Sequence, residues 1–256
     1  MAEFVSSATQ DRVAVITLSR PARRNALNLQ VKQELVEALE SALTDVDVAV
    51  IVLTGAGGYF VAGTDIAEMA DMRPIDHVLQ RSGRLFDVVR GAAKPVIAAV
   101  EGYALGGGCE LALACDLIVA AEDARFGQPE IKVGIMPGAG GTQRLLRAAG
   151  RYKTALWALT GEMIPAREAY AASLISRLAP SGQALAVARE IAQQITRMPP
   201  LAVQAIRESL RLGADVPLET ALSLERRLFE RLFNTVDQQE GMHAFVEKRD
   251  PAFIGR

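Results

Sequence analysis

The sequence predicts an α/β fold, in which parallel strands are joined by helical crossovers. Short apolar runs of strand length alternate with amphipathic stretches of helical length down to about Leu178, and this alternation is typical of parallel β pairing. Beyond that point the pattern is helical only. Half of the 256 residues are hydrophobic, so the chain can bury a substantial core. We therefore expect an α/β core over residues 1–196 and a helical region over residues 197–256.

The first predicted elements are a pair of strands and an amphipathic helix. Val13–Leu18 is a continuous apolar run typical of a buried strand, and a turn at Gln10–Asp11 would pair it with Phe4–Ala8. Asn28 is a suitable N-cap for a helix that ends near Thr44. The apolar face of this helix carries Val31, Leu35, Leu39 and Leu43.

The middle of the chain is predicted to continue this alternation. Strands are expected over Val48–Thr54, Lys94–Val100 and Leu117–Ala121. A helix is expected over about Pro74–Arg90, because proline suits the first turn of a helix. Gly107–Ala114 is apolar enough to form a buried helix. Towards the C terminus the expected helices are Gly182–Arg197, Pro200–Leu212, Pro217–Phe233 and Val236–Lys248.

Composition argues against several functional classes. The formal charge of −2 argues against a protein whose main ligand is a nucleic-acid backbone. The two cysteines, Cys109 and Cys115, fit neither a CxxC redox pair nor a zinc site. The two histidines, His77 and His243, belong to no metal-binding motif and give a Ser/His/Asp triad little support. Met1–Gln10 lacks the features of a secretory signal, and no stretch resembles a membrane span, so we expect a soluble, cytoplasmic protein without a metal.

Two glycine-rich blocks each end in a glutamate, namely Gly102–Glu110 and Phe126–Glu130. Glycine permits close approach of the backbone and exposes main-chain N–H groups to a bound oxygen. Two carboxylates crowded beside such backbone can hold different protonation states, which acid/base chemistry at neutral pH requires. Glu110 and Glu130 are therefore the predicted catalytic residues, although either block alone also fits tight helix–strand packing with solvated acids.

Two backbone donors are predicted for the same site. Gly55–Asp65 is too glycine-rich for regular structure, and it lies between a strand and a helix that begins at Ile66. Ala62 in this stretch and Gly107 at a helix N terminus would each offer a free N–H group. Together these donors would form an oxyanion hole, so the constellation suits a reaction that passes through an enolate.

At these residues the chain closely resembles the enoyl-CoA hydratase/isomerase (crotonase) superfamily. Phe60–Ile66 is similar to the family's first oxyanion segment, Gly102–Glu110 to its second, and Pro129–Glu130 with Pro137–Gly141 to its third signature. The similarity extends over nearly the whole chain. It implies a crotonase-like spiral of ββα units that holds the acyl-CoA site, followed by a C-terminal helical trimerisation region.

The resemblance implies an acyl-CoA thioester substrate whose thioester oxygen is held by the N–H groups of Ala62 and Gly107. Because both acids are present, it implies the hydratase branch. Glu110 and Glu130 would hold one water, with Glu110 as the base toward that water and Glu130 as the proton donor at the α-carbon. The backbone at Gly138 would help to position the water. The product would be a 3-hydroxyacyl-CoA, as in fatty acid β-oxidation, and no cofactor is expected because CoA is part of the substrate.

The same resemblance implies a path for CoA and an oligomeric assembly. The residues expected to contact CoA, besides Ala62 and Gly107, are Arg23, Arg24, Ala26, Gly63, Thr64, Asp65 and Ile66. A basic residue from the C-terminal region of a neighbouring subunit would lie near the phosphates. Lys248 is the candidate for this role, and a solvated lysine at a helix end is the alternative interpretation. The implied assembly is a homotrimer or a homohexamer built as a dimer of trimers.

Other functions stay open at this point. A Δ3,Δ2-enoyl-CoA isomerase needs the same oxyanion hole and one carboxylate. A hydratase for a dicarboxylic chain, such as 2,3-dehydroadipyl-CoA of aromatic catabolism, would need a distal cation, and Arg73, Arg81 or Arg84 could supply it. An idle scaffold or RNA-binding relative would show a lost acid or a basic surface. A Rossmann-type nucleotide binder would need glycine where this chain has Phe60.

Overall fold

The structure is a computed structural model that describes residues 2–256. Its centre is a six-stranded sheet, which a second sheet of three short strands accompanies. The strands of the described chain are, in order, β1 (Val5–Gln10), β2 (Val13–Leu18), β3 (Val50–Gly55), β4 (Val96–Val100), β5 (Tyr103–Leu105), β6 (Leu117–Ala121), β7 (Arg125–Gly127), β8 (Ile164–Pro165) and β9 (Arg177–Ala179).

The large sheet has the strand order β1-β2-β3-β4-β6-β9. β1 is antiparallel to β2, and each later pair of neighbours is parallel. Val15 lies opposite Val52, and Val52 lies opposite Ile97, so the apolar runs are aligned at the centre of the sheet. Parallel pairing of this kind requires the crossovers that the sequence pattern predicts, and the α/β prediction is confirmed.

Helices occupy most of the connections between strands. They are α1 (Leu29–Thr44), α2 (Ile66–Met69), α3 (Pro74–Leu79), α4 (Arg84–Gly91), α5 (Gly107–Ala114), α6 (Gly141–Thr160), α7 (Ala166–Ala171), α8 (Ala184–Thr196), α9 (Pro200–Gly213), α10 (Leu218–Leu232) and α11 (Val236–Glu247). Asn28 caps α1 as predicted, because its side-chain oxygen accepts a hydrogen bond from Val31 N at 2.9 Å.

The large sheet is buried on both faces. On one face α8 packs through Ala184, Ala188 and Ala192, whose spacing of four places them on one side of the helix. The other face belongs to a larger apolar cluster that includes residues of α1, α4 and α5. Burial on both faces explains why the central strands are continuous apolar runs rather than alternating ones.

The single helix predicted over Pro74–Arg90 is wrong. α3 ends at Leu79 and α4 begins at Arg84. Between them Arg81 has a φ of 47°, in the left-handed region, and the Ser82 N–H donates to the His77 carbonyl oxygen at 3.2 Å. A left-handed residue ends a run of α-helix, so the segment forms two short helices joined by a tight turn.

The C-terminal helices agree with the predicted ones to within a few residues. α8 ends at Thr196 and α9 begins at Pro200, and α9 and α10 pack against each other. The division of the chain into residues 1–196 and 197–256 stays a prediction. None of the helices in the described chain combines the length and the low polarity that a bilayer-spanning segment needs.

Candidate active site

A cavity of about 480 Å³ lies between α1, α2, α5 and the loop that precedes α6. Its wall includes Glu110 and Gly107 from α5, Glu130 from the 3₁₀ helix Pro129–Val133, and Gly138 from the loop. These groups come from three separate segments of the chain. The fold therefore places the two predicted acids and two of the predicted backbone positions on one cavity.

Glu110 is held by the loop before α6. Its side chain is buried, with 3% exposure, and its Oε1 accepts hydrogen bonds from Ala139 N at 2.6 Å and Gly141 N at 2.8 Å. Gly140, between the two donors, has a φ of 104°, which favours glycine. Within residues 2–256 no group donates to Oε2. One oxygen of Glu110 is thus fixed by the main chain, and the other is available to a water or a substrate.

Glu130 has a different environment. Burial raises its pKa to about 7, and the negative charge of Glu110 acts in the same direction. Gln128 is fully buried, and with its amide oriented to donate, its side-chain nitrogen lies 3.0 and 3.1 Å from the two carboxylate oxygens of Glu130. A carboxyl group with this pKa keeps its proton in a large share of molecules at neutral pH, so Glu130 is suited to donate one.

One predicted oxyanion donor is free and the other is not. Gly107 is the first residue of α5, so its N–H group has no partner inside the helix. The N–H group of Ala62 donates to the Arg24 carbonyl oxygen at 3.1 Å. Contrary to the prediction, the Ala62 amide is therefore not free to bind a thioester oxygen, although Ala62 does line the cavity.

Thr64 supplies a free amide beside Gly107. Leu27 forms a parallel bridge with Thr64, in which Leu27 N–H donates to the Gly63 oxygen at 2.8 Å and Asp65 N–H donates to the Leu27 oxygen at 2.9 Å. The Thr64 N–H takes no part in this bridge and has no acceptor within the described chain. A Cβ built on Gly107 would lie 3.8 Å from Thr64 N. The free amides of Gly107 and Thr64 are thus neighbours on the cavity wall.

An ion pair shapes the turn along the predicted CoA path. Arg20 Nη1 donates to Asp65 Oδ2 at 2.7 Å and to the Ala26 oxygen at 3.2 Å. The hydrogen bond from Arg20 holds the pKa of Asp65 below its usual range. Asn25 is fully buried, with a φ of 60°, and its side chain donates to two carbonyl oxygens of the loop after β3. Asp65, Ala26 and Asn25 therefore stabilise the turn through contacts within the protein.

The other predicted CoA residues lie in three places. Gly63 and Ile66 line the cavity. Arg23 and Arg24 are exposed and form no part of its wall. Lys248 is exposed directly after α11, with a φ of 57°, and it does not line the cavity of its own chain. Its predicted contact with CoA in a neighbouring subunit stays a prediction.

The sequence analysis assigned Thr64 to CoA rather than to the thioester oxygen, and it gave no role to two other groups of this site, the Gln128 side chain and Lys32, which also lines the cavity. Gln128 stands inside the Phe126–Glu130 block, and its position beside Glu130 was a usable signal. Lys32 lies in the first turns of α1, where no local pattern distinguishes it from a surface lysine.

Thiol and metal chemistry find no support at this site. Cys109 lies on α5, and burial raises the pKa of its thiol to about 12, so the nucleophilic thiolate is disfavoured. Burial also raises the pKa of Cys115 well above its ordinary value. Within residues 2–256 no three His, Cys, Asp or Glu side chains are grouped so that they could share a metal ion.

Known proteins match the chain over nearly its whole length. The family model described as enoyl-CoA hydratase/isomerase matches residues 8–256. A 2,3-dehydroadipyl-CoA hydratase of Escherichia coli (strain K12) is 47% identical, with 100% of both chains covered. A short-chain-enoyl-CoA hydratase of Clostridium acetobutylicum is 40% identical, with 94% of this chain and 93% of that protein covered.

Solved structures share the fold. An enoyl-CoA hydratase subunit from Geobacillus kaustophilus HTA426 superposes with a TM-score of 0.96 at 41% identity, with 99% of each chain covered. The enoyl-CoA hydratase of Bacillus anthracis gives a TM-score of 0.94 at 37% identity, with 99% of this chain and 100% of that chain covered. The crotonase-like α/β fold with a C-terminal helical region is thereby confirmed. The chain belongs to the enoyl-CoA hydratase/isomerase (crotonase) superfamily and, within it, to the enoyl-CoA hydratase branch.

Proposed function

We propose that the protein adds water across the 2,3 double bond of a 2-enoyl-CoA thioester and releases a 3-hydroxyacyl-CoA. The observation that carries this proposal is that Glu110, Glu130 and two free main-chain amides lie on one cavity. Hydration needs a base toward water, an acid at the α-carbon and donors at the thioester oxygen. Each of these needs has a candidate group on the cavity wall.

The thioester oxygen is held by the N–H groups of Gly107 and Thr64. As water attacks the β-carbon, electron density moves onto this oxygen and forms an enolate. The amides stabilise that charge because they are fixed by α5 and by the Leu27–Thr64 bridge before the reaction begins. Thr64 takes the place in this mechanism that the sequence analysis gave to Ala62.

Glu110 orients the water and accepts its proton. Its Oε1 is fixed by two main-chain donors, and Oε2 receives the proton as the hydroxide adds to the β-carbon. The main chain at Gly138, next to the donor Ala139, helps to position the water. Glu130 then gives its proton to the α-carbon, which fits a pKa of about 7. Proton exchange with solvent restores both carboxyl groups, and no cofactor takes part, because CoA belongs to the substrate.

The assembly and the CoA path are part of the same proposal. Large apolar side chains are exposed on the C-terminal helices, among them Leu210, Leu222, Phe229 and Phe245. Exposed apolar surface of this kind is favoured at subunit contacts, which supports a homotrimer or a homohexamer. In such an assembly Lys248 of a neighbouring subunit lies near the CoA phosphates, with Arg23 and Arg24 on the near side.

The test replaces each acid by its amide. Glu110→Gln and Glu130→Gln keep the size of the side chain and remove its proton transfer, so each should lower kcat for crotonyl-CoA by about 100-fold or more. The assay follows the loss of the absorbance of the conjugated thioester. Glu68→Gln is the matched control, because Glu68 lines the same cavity but has no part in the proposed proton transfer, and its Oε2 accepts a hydrogen bond from Leu29 N at 2.8 Å.

Two results would count against the proposal. Acid variants with the activity of Glu68→Gln would remove both glutamates from the mechanism. A wild-type protein that leaves 2-enoyl-CoA unchanged and converts a 3-enoyl-CoA would identify a Δ3,Δ2-enoyl-CoA isomerase instead. A 2,3-dehydroadipyl-CoA substrate is the finer alternative, favoured by the name of the Escherichia coli relative and by the presence of Lys32 on the cavity wall.

A further inference from the structure

Lys32 lies at the junction of two cavities. It lines the cavity that contains Glu110 and Glu130, and it also lines a neighbouring cavity of about 310 Å³. Leu29 and Ser82 are shared by the two walls as well, so the cavities adjoin along α1 and the turn between α3 and α4. An acyl chain that extends away from the reacting carbons can therefore pass Lys32.

The ammonium group of Lys32 has no carboxylate partner. Within residues 2–256 no carboxylate oxygen lies within 4.0 Å of its Nζ. Burial lowers the pKa of Lys32, while the charges of Glu68 and Glu110 act in the opposite direction. Glu68 is already bound to Leu29 N at 2.8 Å. A partly buried cation without a partner is unfavourable unless a ligand supplies the opposite charge.

The second cavity is basic. Its wall contains Lys32, Arg81 and Arg84, and no carboxylate of the described chain lines it. Arg84 is engaged by Glu40 at 2.7 Å, whereas Arg73 pairs with its neighbour in α3 and lines neither cavity. Two of the three arginines predicted as candidates for a distal cation, Arg81 and Arg84, thus line the second cavity and not the catalytic one.

We propose that Lys32 forms an ion pair with a carboxylate at the end of the acyl chain opposite to the thioester. The inference rests on the proposed hydratase function and specifies its substrate class as short dicarboxylic 2-enoyl-CoA thioesters. Lys32 lines the same cavity as Glu110 and Glu130, so an acyl chain that extends from the reacting carbons can bring its far end to the ammonium group. A carboxylate at this position would pair with Lys32 and face the basic wall behind it, whereas a methyl end would leave the cation unpaired.

The first experiment compares two substrates in three proteins. Lys32→Met should lower kcat/KM for 2,3-dehydroadipyl-CoA by about 10-fold to 100-fold, as expected for the loss of one charged hydrogen bond. It should change kcat/KM for crotonyl-CoA by less than about 3-fold, because that chain does not reach the lysine. Lys132→Met is the matched control, since Lys132 lines the catalytic cavity but is exposed, and this change should leave the ratio of the two substrates unaltered.

A binding experiment separates this inference from the proposed function. Adipyl-CoA and hexanoyl-CoA have six-carbon acyl chains without a double bond, and they differ in the terminal carboxylate. Lys32→Met should raise Kd for adipyl-CoA by about 10-fold to 100-fold and leave Kd for hexanoyl-CoA unchanged. If methionine disturbs folding, Lys32→Gln takes its place in this experiment, because glutamine keeps a polar side chain without the charge. Equal effects on both ligands, or no effect on either, would overturn the role of Lys32. Binding that depends on Lys32 without any hydration would instead refute the hydratase proposal.

Discussion

The first residue of α5 allows one main-chain donor to be removed without changing the acids. Proline has no N–H group, and it is well tolerated at the first position of a helix because that N–H lacks an intrahelical partner. Gly107→Pro therefore deletes the donor and preserves the helix start. A Cβ at this position would lie 2.6 Å from Thr64 Oγ1. Oγ1 is the tip of a rotatable side chain and can move aside. An alanine at position 107 measures the steric effect of the Cβ by itself.

The expected loss follows from the role of the amide. Removal of one oxyanion donor typically lowers kcat by about 100-fold to 1000-fold, or roughly 3–4 kcal/mol in transition-state stabilisation. Gly107→Ala introduces the same Cβ and keeps the N–H group, so it should retain activity within about 10-fold of wild type. Both are assayed with crotonyl-CoA, with thermal unfolding as a check of folding. Equal rates for the proline and alanine variants would refute the assignment of Gly107 as a donor.

Three other perturbations have defined outcomes. The pKa of Glu130 is raised from 4.5 to about 7 on folding, so its contribution to the free energy of unfolding is complete below pH 4.5 and is lost as pH rises through about 7. Urea titrations at several pH values should show this decline for the wild type and not for Glu130→Gln. Asp65→Asn, which weakens a largely buried ion pair with Arg20, should reduce the free energy of unfolding by about 1–3 kcal/mol in urea at pH 7. Gly141→Ala would bring a Cβ within 2.5 Å of the Gln128 side chain, and it should lower both the melting temperature and kcat because it displaces the loop that holds Glu110.

The central strands could be predicted because each is buried on both faces. Val13–Leu18 and the later parallel strands are continuous apolar runs, and such runs have few other stable placements. The break between α3 and α4 could not be predicted in the same way. It depends on the left-handed conformation of Arg81, an exposed residue of a type without local preference for that conformation. The short strands of the second sheet give too little periodicity to be recognised.

The candidate site likewise contains groups that the sequence could predict and groups that it could not. Glu110 and Glu130 could be identified because each ends a glycine-rich block, and the sequence records both the acid and the close backbone. The second amide donor could not. Gly63 has a φ of 130°, which interrupts the regular alternation of an extended segment, and the hydrogen bonds of Ala62 and Asp65 leave the amides of Gly63 and Thr64 without an acceptor in the described chain. Of these two amides, Thr64 N is the one near Gly107, 3.8 Å from a Cβ built on that residue. Which amide remains free is decided by tertiary pairing.

Proton transfer and substrate selection depend on different charged groups of the cavity. Burial and the charge of Glu110 raise the pKa of Glu130, whereas the carboxylates that act on Lys32 are Glu68 and Glu110. Lys32, which we assign to the acyl end, lies where the two cavities adjoin, whereas Glu130 contacts the buried Gln128 side chain. A substrate carboxylate that pairs with Lys32 would leave the contact between Gln128 and Glu130 in place. Variation at Lys32 can thus shift preference between acyl chains while the proton donor still works at neutral pH.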